Sequence, residues 1–516
     1  MVKKRRNAVD KLNTLLYGKD LRILDGEPYT EVRAYDFSSY YPEDKYIFDQ
    51  SCTSDNTYDI RDFGAYTDCD DNAEFINLAI DKASETNGIV LIDGGDYITT
   101  TVTLKSGVTI FIAKGSSICA NDTGEGYAHK KAILYADNVK NITLTGGGKI
   151  KGKGNLFGRK PFADKNNTKP AEFIDVIEMR RDYRSQLRFA HPSKYGSPIV
   201  LKNCTNVNVD NFIIENSAYW SFKLSNCKDV NIRNFVINNN RNVANADGID
   251  LAGSSNVKIA HCFISTADDG IVIKNALWLG NKGAMRDIEI SDCEIISRTN
   301  AVKVGTETTY DISNVAINNC RFFMTDLYPG SVSGISLEAC DGTVLSNVRI
   351  HDVEMERCTC PIFIRLGNRN RASEVDEQSA NAIEFGVKSK TGKRIGKKIF
   401  DGKSEIKDIY ISNVVATGVQ IPVIIAGYKQ KGKVKRVENI TLQNINISYA
   451  NIPETVDRRM FIPEYVKEYP ECWRFRNLPA YGLWSRHTKN IIIENFVCKH
   501  PLKTYKEAII QIDNII

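Results

Sequence analysis

Asn245-Ala246-Asp247-Gly248-Ile249-Asp250 and Ala267-Asp268-Asp269-Gly270 decide how this chain folds. The two acidic segments lie 21 residues apart, Asp247 to Asp268, inside a repeating strand pattern. If the intervening chain makes one turn of a parallel β-solenoid, they fall on neighbouring strands about 4.8 Å apart along the axis. Three carboxylates, Asp247, Asp268 and Asp269, then share one surface patch.

Working outward, the repeat shows itself as an Asn or Asp followed by a β-branched residue and then alternating apolar positions. It recurs at Asn206-Val207, Asp229-Val230, Asn256-Val257, Asp287-Ile288, Asn314-Val315, Asn347-Val348, Asp408-Ile409, Asn439-Ile440 and Asn490-Ile491. The first six are spaced by 23, 27, 31, 27 and 33 residues, whereas the later gaps of 61 and 51 read as two coils or as one coil with a loop. Alternation such as Val257-Lys258-Ile259-Ala260-His261-Cys262-Phe263-Ile264 is that of half-buried strands; a helical period is absent. Cys204, Cys227, Cys262, Cys293 and Cys320 follow the same register and read as a ladder of small side chains inside the solenoid. No C-x-x-C pair offers metal-ligand spacing. The fold class predicted is all-β: a parallel β-helix with an N-terminal capping helix and long loop insertions.

A solenoid grows by adding coils, so 516 residues fit one repeating domain, 58–516, behind an N-terminal extension, 1–57, whose Tyr-rich run 35–46 suggests an extended packing segment. No run of 18 apolar residues spans a membrane. The net charge of +5 is small and scattered, which gives nucleic-acid binding no support. The start, Met-Val-Lys-Lys-Arg-Arg, lacks the apolar core of a signal peptide, and thirteen cysteines fit reduced thiols, so a cytoplasmic location is expected. Oligomeric state is not readable from the sequence.

Phe75, Ile76, Ala79, Ile80 and Ala83 predict a helix over about 71–86 that covers the open end, with Asp68, Asp70 and Asp71 as capping residues and strands at 89–92 and 108–112. The repeat lapses at 155–197, 366–404 and 452–486. The first insertion carries Arg159, Lys160, Arg180, Arg181, Arg184 and Arg188 and is either a solvated excursion or a wall of a cleft. The third holds Trp473, Phe475, Tyr481 and Trp484 beside Arg474, which suits loop packing on the solenoid or a sugar platform. His261 reads as a satisfied structural histidine, His487 as a candidate to line the cleft, Asp250 as a strand-end residue meeting backbone donors, and Asn245 as a group orienting the acids.

Asp62-Phe63-Gly64-Ala65, Asn216-Ser217-Ala218-Tyr219-Trp220, the Asn-x-Asp-Gly-Ile-Asp segment at 245–250 and the pair Asp268-Asp269, in this order, resemble glycoside hydrolase family 28, the polygalacturonase-like enzymes. The resemblance implies a right-handed parallel β-helix and metal-free, cofactor-free hydrolysis of a glycosidic bond with inversion. It implies that Asp268 is the general acid, while Asp247 and Asp269 hold and activate the attacking water. Crowded like charges raise at least one carboxyl pKa, as an acid catalyst needs. Strands one coil apart place the carboxylates closer than the ~6.5–9.5 Å of inverting enzymes, so inversion rests on the resemblance.

Two departures bear on the substrate. Where the family carries His-Gly, this chain reads Asn300-Ala301; where it carries Arg-Ile-Lys, this chain reads Ser336-Leu337-Glu338. Glu338 would repel a uronate. Either the unit at the cleavage point is a neutral sugar, or Lys303, Arg365 or loop arginines bind the carboxylate; a surface ion pair between Lys303 and Glu338 is a third possibility. The substrate-side candidates are thus Asn245, Asn300, Lys303, Glu338, Arg365 and His487. The expected partner is an oligosaccharide or polysaccharide of pectin type, trimmed from one end if insertions close the groove. A uronate lyase and a non-catalytic glycan-binding solenoid are the other readings; the lyase is disfavoured because no Arg or Lys adjoins the Asp cluster in sequence.

Overall fold

The computed structural model describes residues 42–52, 54–127, 132–154, 196–241, 243, 245–324, 331–369, 371, 402–450, 462–475 and 478–515. The basic residues singled out at 159–188, most of the 366–404 insertion and residues 1–41 lie outside them.

The described chain is a right-handed parallel β-helix whose strands join one 28-stranded sheet wound around a continuous apolar core. One flank carries the site. Its strands in chain order are β1 (Phe222–Ser225), β2 (Ile249–Ala252), β3 (Ile271–Asn275), β4 (Asn300–Thr308), β5 (Ser331–Ala339), β6 (Cys358–Leu366), β7 (Val423–Ala426) and β8 (Ala480–Lys499). Each pairs in parallel with the next, Ile249 opposite Ile271 and Ile271 opposite Val302. The 21-residue spacing is therefore one coil.

The polar anchor has a physical cause. All nine anchor residues, from Asn206 to Asn490, have φ between 52° and 62°. Asn and Asp enter this left-handed region more readily than other side-chain-bearing residues. Their side chains bond up the stack: Asn256 to Asp229 at 2.6 Å, Asn347 to Asn314 at 2.7 Å, Asn439 to Asp408 at 2.7 Å and Asn490 to Asn439 at 3.0 Å. The long gaps are single coils with a loop, because Val348 pairs with Ile409 and Ile440 with Ile491. A second ladder runs five residues downstream through Asn234, His261, Asp292, Asn319, Asp352 and Asn413. His261, read from the sequence as structural, is one of its rungs, exposed and at φ 51°.

Helix α1 (Glu43–Tyr46) is helical where an extended segment was expected; Tyr46 packs 6.1 Å from Phe263 on the outer flank. Helix α2 (Ala73–Thr86) buries Ile76, Ala79, Ile80 and Ala83 in the first coils. Asp71 serves its N-terminus, accepting from the Ala73 N–H at 3.0 Å and from Thr100, whereas Asp68 and Asp70 are exposed and make no cap. All thirteen cysteines are free thiols. The expected single ladder is two shorter ones: Cys204 meets Cys227, and Cys262, Cys293 and Cys320 stack in successive coils. No helix among the described residues is long and apolar enough to cross a membrane.

Candidate active site

Asp247 and Asp269 each precede a glycine at the entry to a strand, and those glycines bring the coils together. A Cβ on Gly248 would meet the Gly270 carbonyl at 2.3 Å, and one on Gly270 would meet the Ala301 carbonyl at 2.5 Å. The backbones stack accordingly, with Gly248 N–H donating to the Asp269 carbonyl at 2.9 Å and Gly270 N–H to that of Asn300 at 2.8 Å. Oxygens of Asp247, Asp268 and Asp269 consequently lie within 4.8 Å of one another. Asp247 and Asp269 are buried; Asp268 is half-buried and is the most exposed of the three.

The three are held unequally. Asp269 accepts from Asn300 Nδ2 at 2.6 Å and Thr299 Oγ1 at 2.8 Å, with Lys303 Nζ at 3.3 Å. Asp268 accepts from the Asp269 N–H and Thr299 Oγ1, both at 3.1 Å, and from Asn245 Nδ2 at 3.4 Å. Asp247 has Lys274 Nζ 3.5 Å from one oxygen, while its other oxygen, though buried, has no partner among the described residues. Burial first, then Asp250 and Asp268, raises the Asp247 carboxyl well above the carboxylate range. Burial and then Asp269 raise Asp268 as well. Asp247, with Lys274 alone beside it, is the least satisfied of the three.

Alternation along the strands places Lys223, Asp250, Val272, Lys303 and Ser336 in one outward row across β1 to β5. Asp250 is therefore not a strand-end residue meeting backbone donors. It is fully buried, 2.8 Å from Lys274 Nζ, and burial, partly offset by that lysine, pushes it up to about 6. Lys274 also lies 3.7 Å over the Trp220 ring, which explains the Asn216–Trp220 segment as a wall of the site. The sequence reading missed Lys274; its signal was the alternation, which puts it on the same outward side as Asp250.

Lys303 and Glu338 form an ion pair of 3.9 Å, buried rather than at the surface. Glu338 also accepts from Ser336 Oγ at 2.7 Å and Thr306 Oγ1 at 2.5 Å; burial, only partly offset by Lys303, pushes it up to about 7. Lys303 Nζ reaches Tyr469 Oη at 3.2 Å, a contact no local pattern in the sequence foretold. Glu307, despite its burial, is drawn down to about 2 by Arg369, Lys274 and Arg371.

Two substrate-side candidates are not where the sequence reading placed them. Arg365 is 1% exposed and spends its guanidinium on backbone carbonyls of Ala426, Gly427, Glu464 and Tyr465, so it pins a loop and faces no groove. His487 is held between Asp513 at 2.6 Å and Glu464 at 3.1 Å, with no contact to the acidic trio. Asn300 and Asn245 contact Asp269 and Asp268 respectively. Glu338 and Lys303 contact each other.

Beyond β5 the same outward row turns apolar, with Phe363, Ile424 and Trp484, and packs against residues 462–475 and Leu478. Phe475 sits 6.0 Å from Phe363 and 5.5 Å from Trp484. The aromatic excursion is thus mainly packing, with Tyr469 at its inner edge beside the site. No Arg or Lys adjoins the acidic cluster in sequence, but folding brings Lys274 and Lys303 into it. Both are raised well above the ordinary lysine value, because adjoining carboxylates outweigh burial.

Comparison with known proteins agrees with this geometry. The family model for glycosyl hydrolases family 28 matches residues 77–385. Polygalacturonase QRT2 of Arabidopsis thaliana is 23% identical over 350 residues, covering 64% of this chain and 69% of its own. An endo-polygalacturonase of Pectobacterium carotovorum subsp. carotovorum is 22% identical over 358 residues, covering 65% and 81%. The crystal structure of a hyperthermoactive exopolygalacturonase from Thermotoga maritima shares the fold, with a TM-score of 0.58 at 18% identity over 88% of this chain and 95% of its own. The family match spans more than half of the sequence and includes the whole acidic trio, and the chain belongs to the glycosyl hydrolases family 28, as a glycosidase of the polygalacturonase family.

Proposed function

We propose that this glycosidase hydrolyses a pectin-type or related oligosaccharide from one end, with inversion. The observation that carries the reading is the unequal trio: three carboxylates from successive coils, with Asp268 the most exposed and Asp269 held by three donors. In the step proposed, Asp268 gives its proton to the glycosidic oxygen as the bond to the anomeric carbon breaks. Water held by Asp247 and Asp269 attacks that carbon and releases a proton to one of them. Asp247 contributes an oxygen that has no partner among the described residues and so is available as an acceptor. Lys274 and Lys303 supply the compensating positive charge, so the scheme calls on no metal.

End-on action is supported by residues 462–475 and Leu478, which pack over the outward faces of β6 to β8 and would block a substrate running along the row on that side. A neutral sugar at the cleavage point is a second reading, favoured by the consumption of Lys303, Lys274 and Arg369 in buried ion pairs with Glu338, Asp250 and Asp341. Cytoplasmic action on imported oligosaccharides is proposed with the thirteen free thiols as support.

The test is product release from galacturonate-containing and neutral oligosaccharides by wild type and Asp268→Asn. Proton NMR of the first-formed anomer and the length of the products are read in the same runs. Monomeric product of inverted configuration, made by wild type alone, is expected. An unsaturated product, a retained anomer, internal cleavage or glycan binding without turnover would each overturn the corresponding part.

A further inference from the structure

Lys303 touches both the acidic trio and the segment 462–475. Its Nζ stands 3.3 Å from Asp269, 3.9 Å from Glu338 and 3.2 Å from Tyr469 Oη. Every partner comes from a different place in the fold: Asp269 from the turn before β3, Glu338 from β5 one coil further on, and Tyr469 from the covering segment. The remaining charges facing this lysine are Glu307 on its own strand, itself tied to Arg369 and Arg371, and beyond Asp269 the carboxyl of Asp268. Asp269 and Glu338 therefore compete for one ammonium that cannot leave.

We propose that Lys303 is a positioning residue that fixes Asp269 as the anion facing the attacking water, with Tyr469 reinforcing its hold. This rests on the water-side role proposed above for Asp269. The physical reason is that a cation within ~4–6 Å favours the charged form of a carboxylate. Removing Lys303 must then raise the acid limb, whereas Glu338, protonated below about 7, has no charge to remove across that limb. A residue that merely filled space would not separate the two variants.

The experiment compares wild type with Lys303→Met, Lys303→Arg, Glu338→Gln and Tyr469→Phe. The first readout is the pH dependence of kcat and KM on the oligosaccharide that wild type turns over best among trigalacturonate and a neutral panel. Lys303→Met is expected to lower kcat at least ~10-fold with KM changed under ~3-fold, and to move the acid limb of kcat up by ~1–3 pH units. Glu338→Gln, a near-isosteric change at a carboxyl already protonated there, is expected to leave the same limb in place. Tyr469→Phe shifts it the way of Lys303→Met by a smaller amount, and Lys303→Arg restores the limb. The second readout needs no substrate: the carboxyl titration followed by carbon-13 NMR of aspartate-labelled protein, with Asp269→Asn to assign the resonance.

A limb raised in Lys303→Met and restored in Lys303→Arg, beside an unmoved one in Glu338→Gln, supports the proposal. A Lys303→Met profile coincident with wild type, or an equal shift in Glu338→Gln, overturns it. If wild type cleaves no glycan, the proposed hydrolysis fails, and the NMR titration still decides whether Lys303 governs Asp269. Should Lys303→Met not fold, the smaller shift in Tyr469→Phe carries the test against Glu338→Gln.

Discussion

Asp268→Asn should damage activity and raise stability at once, and the two effects have one cause. Asn keeps the size of the side chain and can still accept from Thr299 Oγ1 and the Asp269 N–H, so the turn before β3 is kept. What it removes is a transferable proton and a negative charge whose oxygens lie within 4.8 Å of two other carboxylates. Loss of a general acid lowers kcat by about 10²–10⁴. Two full charges at that separation repel by roughly 3 kcal/mol at an effective dielectric constant near 20. A gain of about 1–3 kcal/mol is therefore expected at pH 8. Burial and then Asp269 raise the Asp268 carboxyl, so wild type sheds this repulsion as pH falls and the gain should be smaller at pH 4 than at pH 8. The assay pairs reducing-sugar release with thermal midpoints at pH 4 and pH 8. A variant retaining more than a tenth of wild-type kcat, or one less stable than wild type at pH 8, would refute the assignment of Asp268 and the charge argument respectively.

Arg365→Met should destabilise by about 3–5 kcal/mol, because it orphans carbonyls of Ala426, Gly427, Glu464 and Tyr465 beneath a covering segment; a midpoint within one degree of wild type would contradict its structural role. Glu338 and Asp250 have folded pKa values raised to about 7 and about 6, so the fold retains protons that the unfolded chain releases. Each therefore opposes folding by up to about 3 kcal/mol as pH rises from near 4 through those values, and the fall in stability over pH 4.5–7 should flatten in Glu338→Gln, as measured by denaturant midpoints. His261→Asn should be neutral to stabilising by up to about 1 kcal/mol, since Asn suits φ 51° and can bond along the ladder between Asn234 and Asp292; a loss of stability would show that the imidazole is needed there.

Much of the solenoid was legible because its causes are local. Period-2 alternation sets which side chains enter the core, and an Asn or Asp at each coil bend marks the left-handed conformation that turns the chain. Glycine after Asp247 and after Asp269 records the close stacking that gathers the trio. The trio, and with it the family resemblance, follows from that local pattern.

Partnership was decided only by the tertiary structure. Lys303, Arg365 and His487 share a charge class in the sequence, yet one sits against the trio, one pins backbone carbonyls and one joins Asp513 to Glu464. Lys274 became part of the site because strand parity set it beside Asp250, and Tyr469 because a segment far along the chain folds back over β6 to β8. A buried charge must find an opposite charge or donors wherever the fold supplies them, and that search runs through space rather than along the chain. The sequence by itself determined the coil and the three carboxylates; the fold decided which cation answers which acid, and on which side a later segment packs over the row.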